Sequence, residues 1–568
     1  GLNGVAAIFQ SDGTDGQGDI TAVLNGHFRG GGFLGKGILI EGGANNTVTI
    51  NGSASAVSGL AIEGTEGSDS IVNNGVVVGN VDLDGATGGV TPFAAAAAAT
   101  AETNAFLNSA DAVFVTLDYV DLGGGLLTNH GLIAPGDAGV VQTTEIDGGL
   151  LQSADAVFDL DLDFALTDVD QEADRLTLNG AADVAGQFEL RVANVASILP
   201  GEHVVTIISA DAGLTDNGAI LDAPQSAVAS FALEAEADAL NLRYVVDFSP
   251  AAADWNHNRE AVGDYINRIQ LAGSSPGFAP VAEMLFWIPQ VDTLASVYDS
   301  FMPEIQLDNL VGATFAAGRF TDAMMSCPQA SATVVAGQGE CMWVRAEGRE
   351  LAFDETFDTF AFDERTRGLQ LGYERALAGS PLTLGAALSY EDVEANLIDR
   401  ARANGDRRQA GLTLKAALAV DLSLGLSFGS GNFDVERGVV TPSGAATAVS
   451  TQRFDFTQAT ARVSRTLGDS ALHVRPVMEA SVTRFDQHGH EERGAGPLNL
   501  RFEDQTQEVI RLRPSLEFGG TFAAGPGVAV RPWGAVGVSH VIGGDVPSVM
   551  AEFAAAPDGV DPFRTAQP

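Results

Sequence analysis

From Met342 onward the chain alternates apolar and polar residues in stretches of about ten, each closed by a turn. Ile510-Arg511-Leu512-Arg513-Pro514-Ser515-Leu516-Glu517-Phe518 is the clearest case: even positions are mostly apolar, odd positions charged or small. A strand has this pattern when one face meets an apolar medium and the other meets water. Repeated in series, it predicts a transmembrane antiparallel β-barrel. Strands are expected near 342–353, 366–376, 381–393, 406–418, 420–434, 450–466, 469–486, 503–519 and 526–541, with another beginning at Phe563. Polar, Gly-rich stretches such as Gly438–Val449 and Asp486–Leu498 read as loops.

The pattern upstream is different. Asn45-Asn46-Thr47-Val48-Thr49-Ile50-Asn51-Gly52 is echoed by Ser68-Asp69-Ser70-Ile71-Val72-Asn73-Asn74-Gly75, and again by Thr128-Asn129-His130-Gly131-Leu132-Ile133. Short β-branched runs with Asn/Gly corners, returning every 20–25 residues or so, predict rungs of a parallel β-solenoid. Residues 91–125, with an all-Ala run from Ala94 to Ala99, read as an insertion between rungs. Strands resume over 128–248. In Phe158-Asp159-Leu160-Asp161-Leu162-Asp163-Phe164 the strict alternation predicts a half-buried strand with an acidic solvent face.

Residues 249–340 change period. Val262, Tyr265, Ile266 and Ile269 form a stripe at helical spacing within 252–271. Pro280–Met302, interrupted by Pro289, and Pro303–Met325 are two further helical candidates. A helix of about 20 residues spans roughly 30 Å, the depth of a bilayer core. The expected organisation is therefore a solenoid over 1–127, a continuing β segment over 128–248, a helical linker over 249–340 and a barrel over 341–568.

Charge divides the chain in the same way. Residues 1–250 carry 34 Asp+Glu against 5 Lys+Arg, and residues 341–568 carry 30 against 22. The overall net charge of −44 excludes a nucleic-acid binder that works through basic patches. No run of 18 apolar residues predicts a membrane-spanning helix. The sequence starts at Gly1 without a secretion signal, so one is expected upstream.

A Gly-rich solenoid, a helical linker and a C-terminal barrel, in that order, resemble the type V autotransporters of Gram-negative bacteria. Trp343-Val344-Arg345 is similar to the family's first barrel strand. Gly368-Leu369-Gln370-Leu371-Gly372-Tyr373-Glu374 and Leu384-Gly385-Ala386-Ala387-Leu388-Ser389-Tyr390 resemble its second and third. Gly131-Leu132-Ile133-Ala134-Pro135-Gly136-Asp137 and Arg175-Leu176-Thr177-Leu178-Asn179-Gly180 resemble the autochaperone-like segment that ends the family's passengers. The resemblance implies an outer-membrane barrel that exports and anchors its own passenger. It also implies a helix threading the lumen, assembly by the barrel-assembly machinery and periplasmic chaperones, and no cofactor. Family barrels usually have twelve strands and end on an aromatic residue, so further strands are expected beyond Pro568. The helix near 303–325 best matches the lumen helix, kept slim by Gly312, Ala313, Ala316, Ala317 and Gly318.

Polar residues on the inward faces should line the lumen: Arg345, Glu347 and Arg349; His473, Arg475, Glu479, Ser481 and Thr483; Arg511, Arg513, Ser515 and Glu517. Charge on the lipid face would cost about 2–4 kcal/mol near the midplane, which sets this placement. Whether these residues serve transport or only pair with one another is open. Cys327 and Cys341, the only two cysteines, suggest a disulfide in an exported protein.

Catalytic signals are weak. Gly425-Leu426-Ser427-Phe428-Gly429 matches a nucleophile elbow by letter, but it falls within a strand rather than at a strand-to-helix turn. His488-Gly489-His490-Glu491 lies in a loop without the fixed supports a metal site needs. Asp15-Gly16-Gln17-Gly18-Asp19 lacks the repeated nonapeptide of calcium-binding solenoids. The expectation is a passenger for adhesion or surface interaction with an unidentified ligand. The alternatives are a surface polysaccharide lyase or hydrolase on the same barrel, or a diffusion pore.

Overall fold

The computed structural model describes residues 3–11, 18–65, 67–85, 103–166, 171–251, 253–325, 333–337, 340–469, 471–525, 528–530, 532–544 and 547–566. The chain divides into two compact units: Gly1–Phe248 with Ala282–Gln290, and Ser249–Val281 with Val291–Pro568.

The first unit is a parallel coil. Thr21–Leu24 pairs with Asn45–Ile50, which pairs with Ser68–Asn73, then Ala105–Asn108, Tyr119–Asn129 and Thr143–Gln152, every step parallel. Val48, Ile50, Ile71, Leu127 and Ile146 point inward and are fully buried, and Phe106 stacks on Phe114 at 4.5 Å. Apolar side chains alone do not hold the rungs in register. Asn73 donates to Asn108 (2.8 Å), Asn108 to Asn129 (2.8 Å) and Asn129 to Gln152 (3.4 Å), a buried ladder with one amide per rung. A second, exposed ladder joins Asn74, Asn51 and Asn25 at the corners where Asn-Gly pairs are found. A one-residue slip would leave these buried amides unpartnered, which fixes the register.

The predicted insertion needs correction. The step from Asn73 to Asn108 is 35 residues, against 23 and 21 on either side, so extra chain does lie between those rungs. Residues 86–102 lie outside the described residues. Ala105–Asn108, Val113–Thr116 and Tyr119–Asn129, however, are strands of the coil. The coil ends where Ala239–Val246 pairs antiparallel with both Gly201–Ala210 and Ala229–Ala235.

The acidic strand is also corrected. In Val157–Asp163 the Asp159 and Asp161 side chains are buried, not solvated. The Gly139 N–H donates to Asp161 (2.6 Å), and Arg191 pairs with Asp159 (2.7 Å). Alternation predicted two faces but not that a loop and a neighbouring strand would cover the acidic one. Asp174 lies in the same cluster and accepts the N–H groups of Gln142 and Asp161, both at 2.8 Å.

Four helices follow in the chain: His257–Leu271, Ala279–Phe286, Val291–Asp299 and Glu304–Met325, all in the second unit except Ala279–Phe286, which from Ala282 onward belongs to the first. The Asn256 side chain caps the first by accepting the Arg259 N–H (2.9 Å). Pro289 falls in the break between the second and third, as expected. The barrel strands follow as an antiparallel sheet: Glu340–Phe353, Phe362–Ala376, Leu382–Leu397, Ala401–Ala417, Asp421–Thr441, Gly444–Ser464, His473–Gln487 and Gln505–Gly519. They are called the first to eighth barrel strands below. Among the described residues no pairing closes the first strand onto the last, so the sheet is a half-barrel.

Two strand expectations fail. The supposed loop 438–449 is the tip of a hairpin whose two 21-residue strands pair from Asp421↔Ser464 to Thr441↔Gly444. Gly and Ala there satisfy the ladder with backbone alone. The supposed strand 526–541 is broken into Val528–Val530, Trp533–Gly537 and His540–Gly544.

Burial pushes the Asp174 carboxyl up to about 8, against the pull of its two backbone donors. Unfolded, it would titrate near ~4. Between roughly pH 4 and 8 the folded state therefore holds a proton that the unfolded chain releases. This contribution to stability is complete below that window and is lost as pH rises through it. The urea midpoint of the solenoid, followed by circular dichroism, should fall between pH 5 and pH 8. Asp174→Asn should flatten that dependence, whatever it costs in absolute stability.

Candidate functional site: the barrel lumen and its helix

The barrel has two unlike ends. Connections 377–381, 418–420 and 465–472 lie at one; 354–361, 398–400, 442–443 and 488–504 lie at the other, which carries the longest loop, 488–504, and the tip of the longest hairpin. The helix Glu304–Met325 runs from the long-loop end to the short-turn end. The Phe360 N–H donates to Glu304 (2.8 Å) at its start, and Met325 lies against Gly425 at its finish.

This helix is buried on nearly all sides because the strands' inward residues surround it. Ala313, Ala316 and Ala317 are fully buried. A Cβ on Gly312 would strike a Glu364 carboxylate oxygen, and one on Gly318 would come within 2.8 Å of the Arg511 guanidinium. The small residues singled out in the sequence are thus the contact face for lumen charges. The strands make room in return: a Cβ on Gly411 would strike the Met324 sulfur.

Most charges in the lumen are paired among the described residues. Asp322 on the helix receives Arg462 and Arg513, the latter also 2.9 Å away through Nη1, and both arginines reach Glu479. Arg319, one turn earlier, donates to Glu391 (3.1 Å). Arg407, fully buried, pairs with Glu364. Lys415 pairs with Glu374 (2.5 Å), Arg475 with Glu517 (3.6 Å) and Arg345 with Glu347 (3.1 Å). Arg349 points inward on the first strand and is half-buried. Ionised groups this deep are tolerable only as hydrogen-bonded pairs.

The structure therefore joins Arg345 to Glu347, Arg513 to Glu479 and Arg475 to Glu517, and sets Arg511 against the helix. Sequence reasoning missed Glu364, Arg407, Glu391, Arg462, Arg319 and Asp322. Strand parity could have found the first four. Arg319 and Asp322 stand out only as charges one turn apart in an otherwise slim helix. Ser427 lies inward on a continuous strand, which removes the nucleophile-elbow reading.

The long-loop end is knitted to the helices. Asn309 donates to Gln452 (2.8 Å), which donates to the Gln306 carbonyl (2.8 Å). His490 stacks on Phe502 at 4.5 Å and lies 3.1 Å from the Gln306 side-chain oxygen. The His-Gly-His-Glu loop is thus built into the helix support. Arg437 bridges Glu492 (2.5 Å) and the Ser300 carbonyl. Phe553 packs against Tyr265 (5.3 Å), Phe301 (5.6 Å) and Phe563 (5.6 Å), a core no local pattern foretold.

Residues 342–568 match the family model of the autotransporter beta-domain. This strand series is an autotransporter beta-domain. Among solved structures it is similar to the translocator domain of autotransporter NalP from Neisseria meningitidis, with 12% identity over 44% of this chain and 88% of that one, at a TM-score of 0.35. It is also similar to the beta domain of the Bordetella autotransporter BrkA, with 17% identity over 38% and 87%, at a TM-score of 0.29. No curated protein matches the sequence. The barrel's short-turn end is the periplasmic one and its long-loop end extracellular, as in outer-membrane barrels generally.

Overpacking the helix tests this seating. Gly312→Val should displace the buried Glu364–Arg407 pair and lower barrel stability by about 1–3 kcal/mol. Gly348→Val, where an added Cβ meets nothing within 4 Å, should change nothing. The temperature at which the protein loses its heat-modifiable migration on gels reads both.

Proposed function

We propose that this autotransporter's barrel carries the N-terminal solenoid across the outer membrane and holds it at the cell surface, where it serves adhesion. The observation that carries this reading is the in-register parallel coil of the first unit, which presents a long, rigid surface at low cost in ordering entropy. Its charge supports the kind of partner. With 34 acidic against 5 basic residues in 1–250, the coil would favour basic surfaces. A diffusion pore is the weaker reading because the helix Glu304–Met325 occupies the lumen. Delivery by periplasmic chaperones and insertion by the barrel-assembly machinery belong to the same proposal, on family grounds.

Cells displaying the full chain should bind a polylysine-coated surface several-fold better than cells displaying residues 249–568 alone, and should lose that advantage at high salt. Equal binding by the two would reject the adhesive role; release of small products from polysaccharide by the full chain would favour a passenger enzyme.

Cys327 lies outside the described residues, and Cys341 is buried at the start of the first barrel strand. We propose that the two are joined, tying the end of the lumen helix to that strand. A loop of this size is worth about 3 kcal/mol in the chain-entropy model. Alkylation of the denatured protein should label no thiol before reduction and two after it.

A further inference from the structure

The outer faces of the second to fifth barrel strands are apolar toward the short-turn end. Two alanines interrupt them. Strand register sets Leu388 beside Ala410 and Ala410 beside Phe428, and in the next row sets Tyr373 beside Ala386 and Ala386 beside Leu412. The larger residues stand proud and the alanines do not, which leaves an apolar depression of about 520 Å³ in the outer wall. A hollow of this kind facing hydrocarbon is filled by acyl chain, since nothing else is present at that depth.

The row above the depression, toward the extracellular end, changes character in one step. Arg408 lies two residues beyond Ala410 on the same face, about 7 Å further out. It is the first charge met on leaving the hollow. Its guanidinium carbon lies 6.0 Å from the Tyr390 ring centroid, and its Nε donates to Asp406 at 2.7 Å, an exposed pair at the edge of the apolar band. Backbone register sets Asp392 and Asp406 opposite one another in the following row, with Arg367 beside Asp392, and Asp406 reaches back to Arg408. A chain-sized hollow bordered by an arginine matches the order of groups in a phosphate-bearing lipid, from acyl chain to phosphate.

We propose that this face is a specific lipid site: one acyl chain lies in the hollow over Ala386 and Ala410, and the lipid's phosphate is held by Arg408. The site is continuous with the membrane-facing surface and independent of what the passenger does.

Native mass spectrometry of the full chain in mild detergent, with added palmitoyl-oleoyl phosphatidylglycerol, tests it. The wild type should retain one lipid under activation that strips the rest, while palmitoyl-oleoyl glycerol, with the same chains and no phosphate, should not be retained. Ala410→Phe, which fills the hollow from the lipid side, and Arg408→Gln should each reduce retention at least tenfold. Ala386→Phe stands in if Ala410→Phe loses heat-modifiable migration. Undiminished retention in the filled variant, or equal retention of the lipid without phosphate, would overturn the proposal.

Discussion

A backbone amide in hydrocarbon has no water to turn to. Everything in the barrel follows from that constraint. Paired strands satisfy the backbone, and the period of two then forces each strand to give one face to lipid and the other to the lumen. The outward residues can be apolar without further condition. The inward ones cannot, because a lumen occupied by a helix leaves little room for water around charges.

The lumen answers with neutral groupings. Asp322 and Glu479 together meet Arg462 and Arg513; Glu364 and Glu391 meet Arg407 and Arg319. Each grouping joins residues from several strands or from strand and helix, so losing one member leaves an uncompensated charge. The helix accepts these contacts because it is slim where the charges approach, at Gly312 and Gly318. Slimness and charge are two halves of one fit.

The solenoid faces the same demand in water. Its rungs bury amides and carboxylates as well as apolar groups, and the Asn73–Asn108–Asn129–Gln152 ladder converts that cost into register. Asp159, Asp161 and Asp174 are a harsher instance, held under a loop and a neighbouring strand by backbone N–H groups and Arg191. The passenger's acidity is thus partly structural rather than wholly a surface property.

Local periodicity was enough to read most of the barrel strands, the slim helix and the Asn/Gly corners, because alternation, helical spacing and left-handed corners are properties of neighbouring residues. The inward placement of Arg345, Glu479 and Arg513 was legible for the same reason. Which charge meets which was not: Arg407 and Glu364 are 43 residues apart, and Arg513 and Asp322 are 191 apart. Nor was the burial of Asp159, or the hairpin through 438–449, where Gly and Ala carry no alternation to read. Those outcomes depend on strand register and on what packs across each face, and both are set only when distant segments meet in the folded chain.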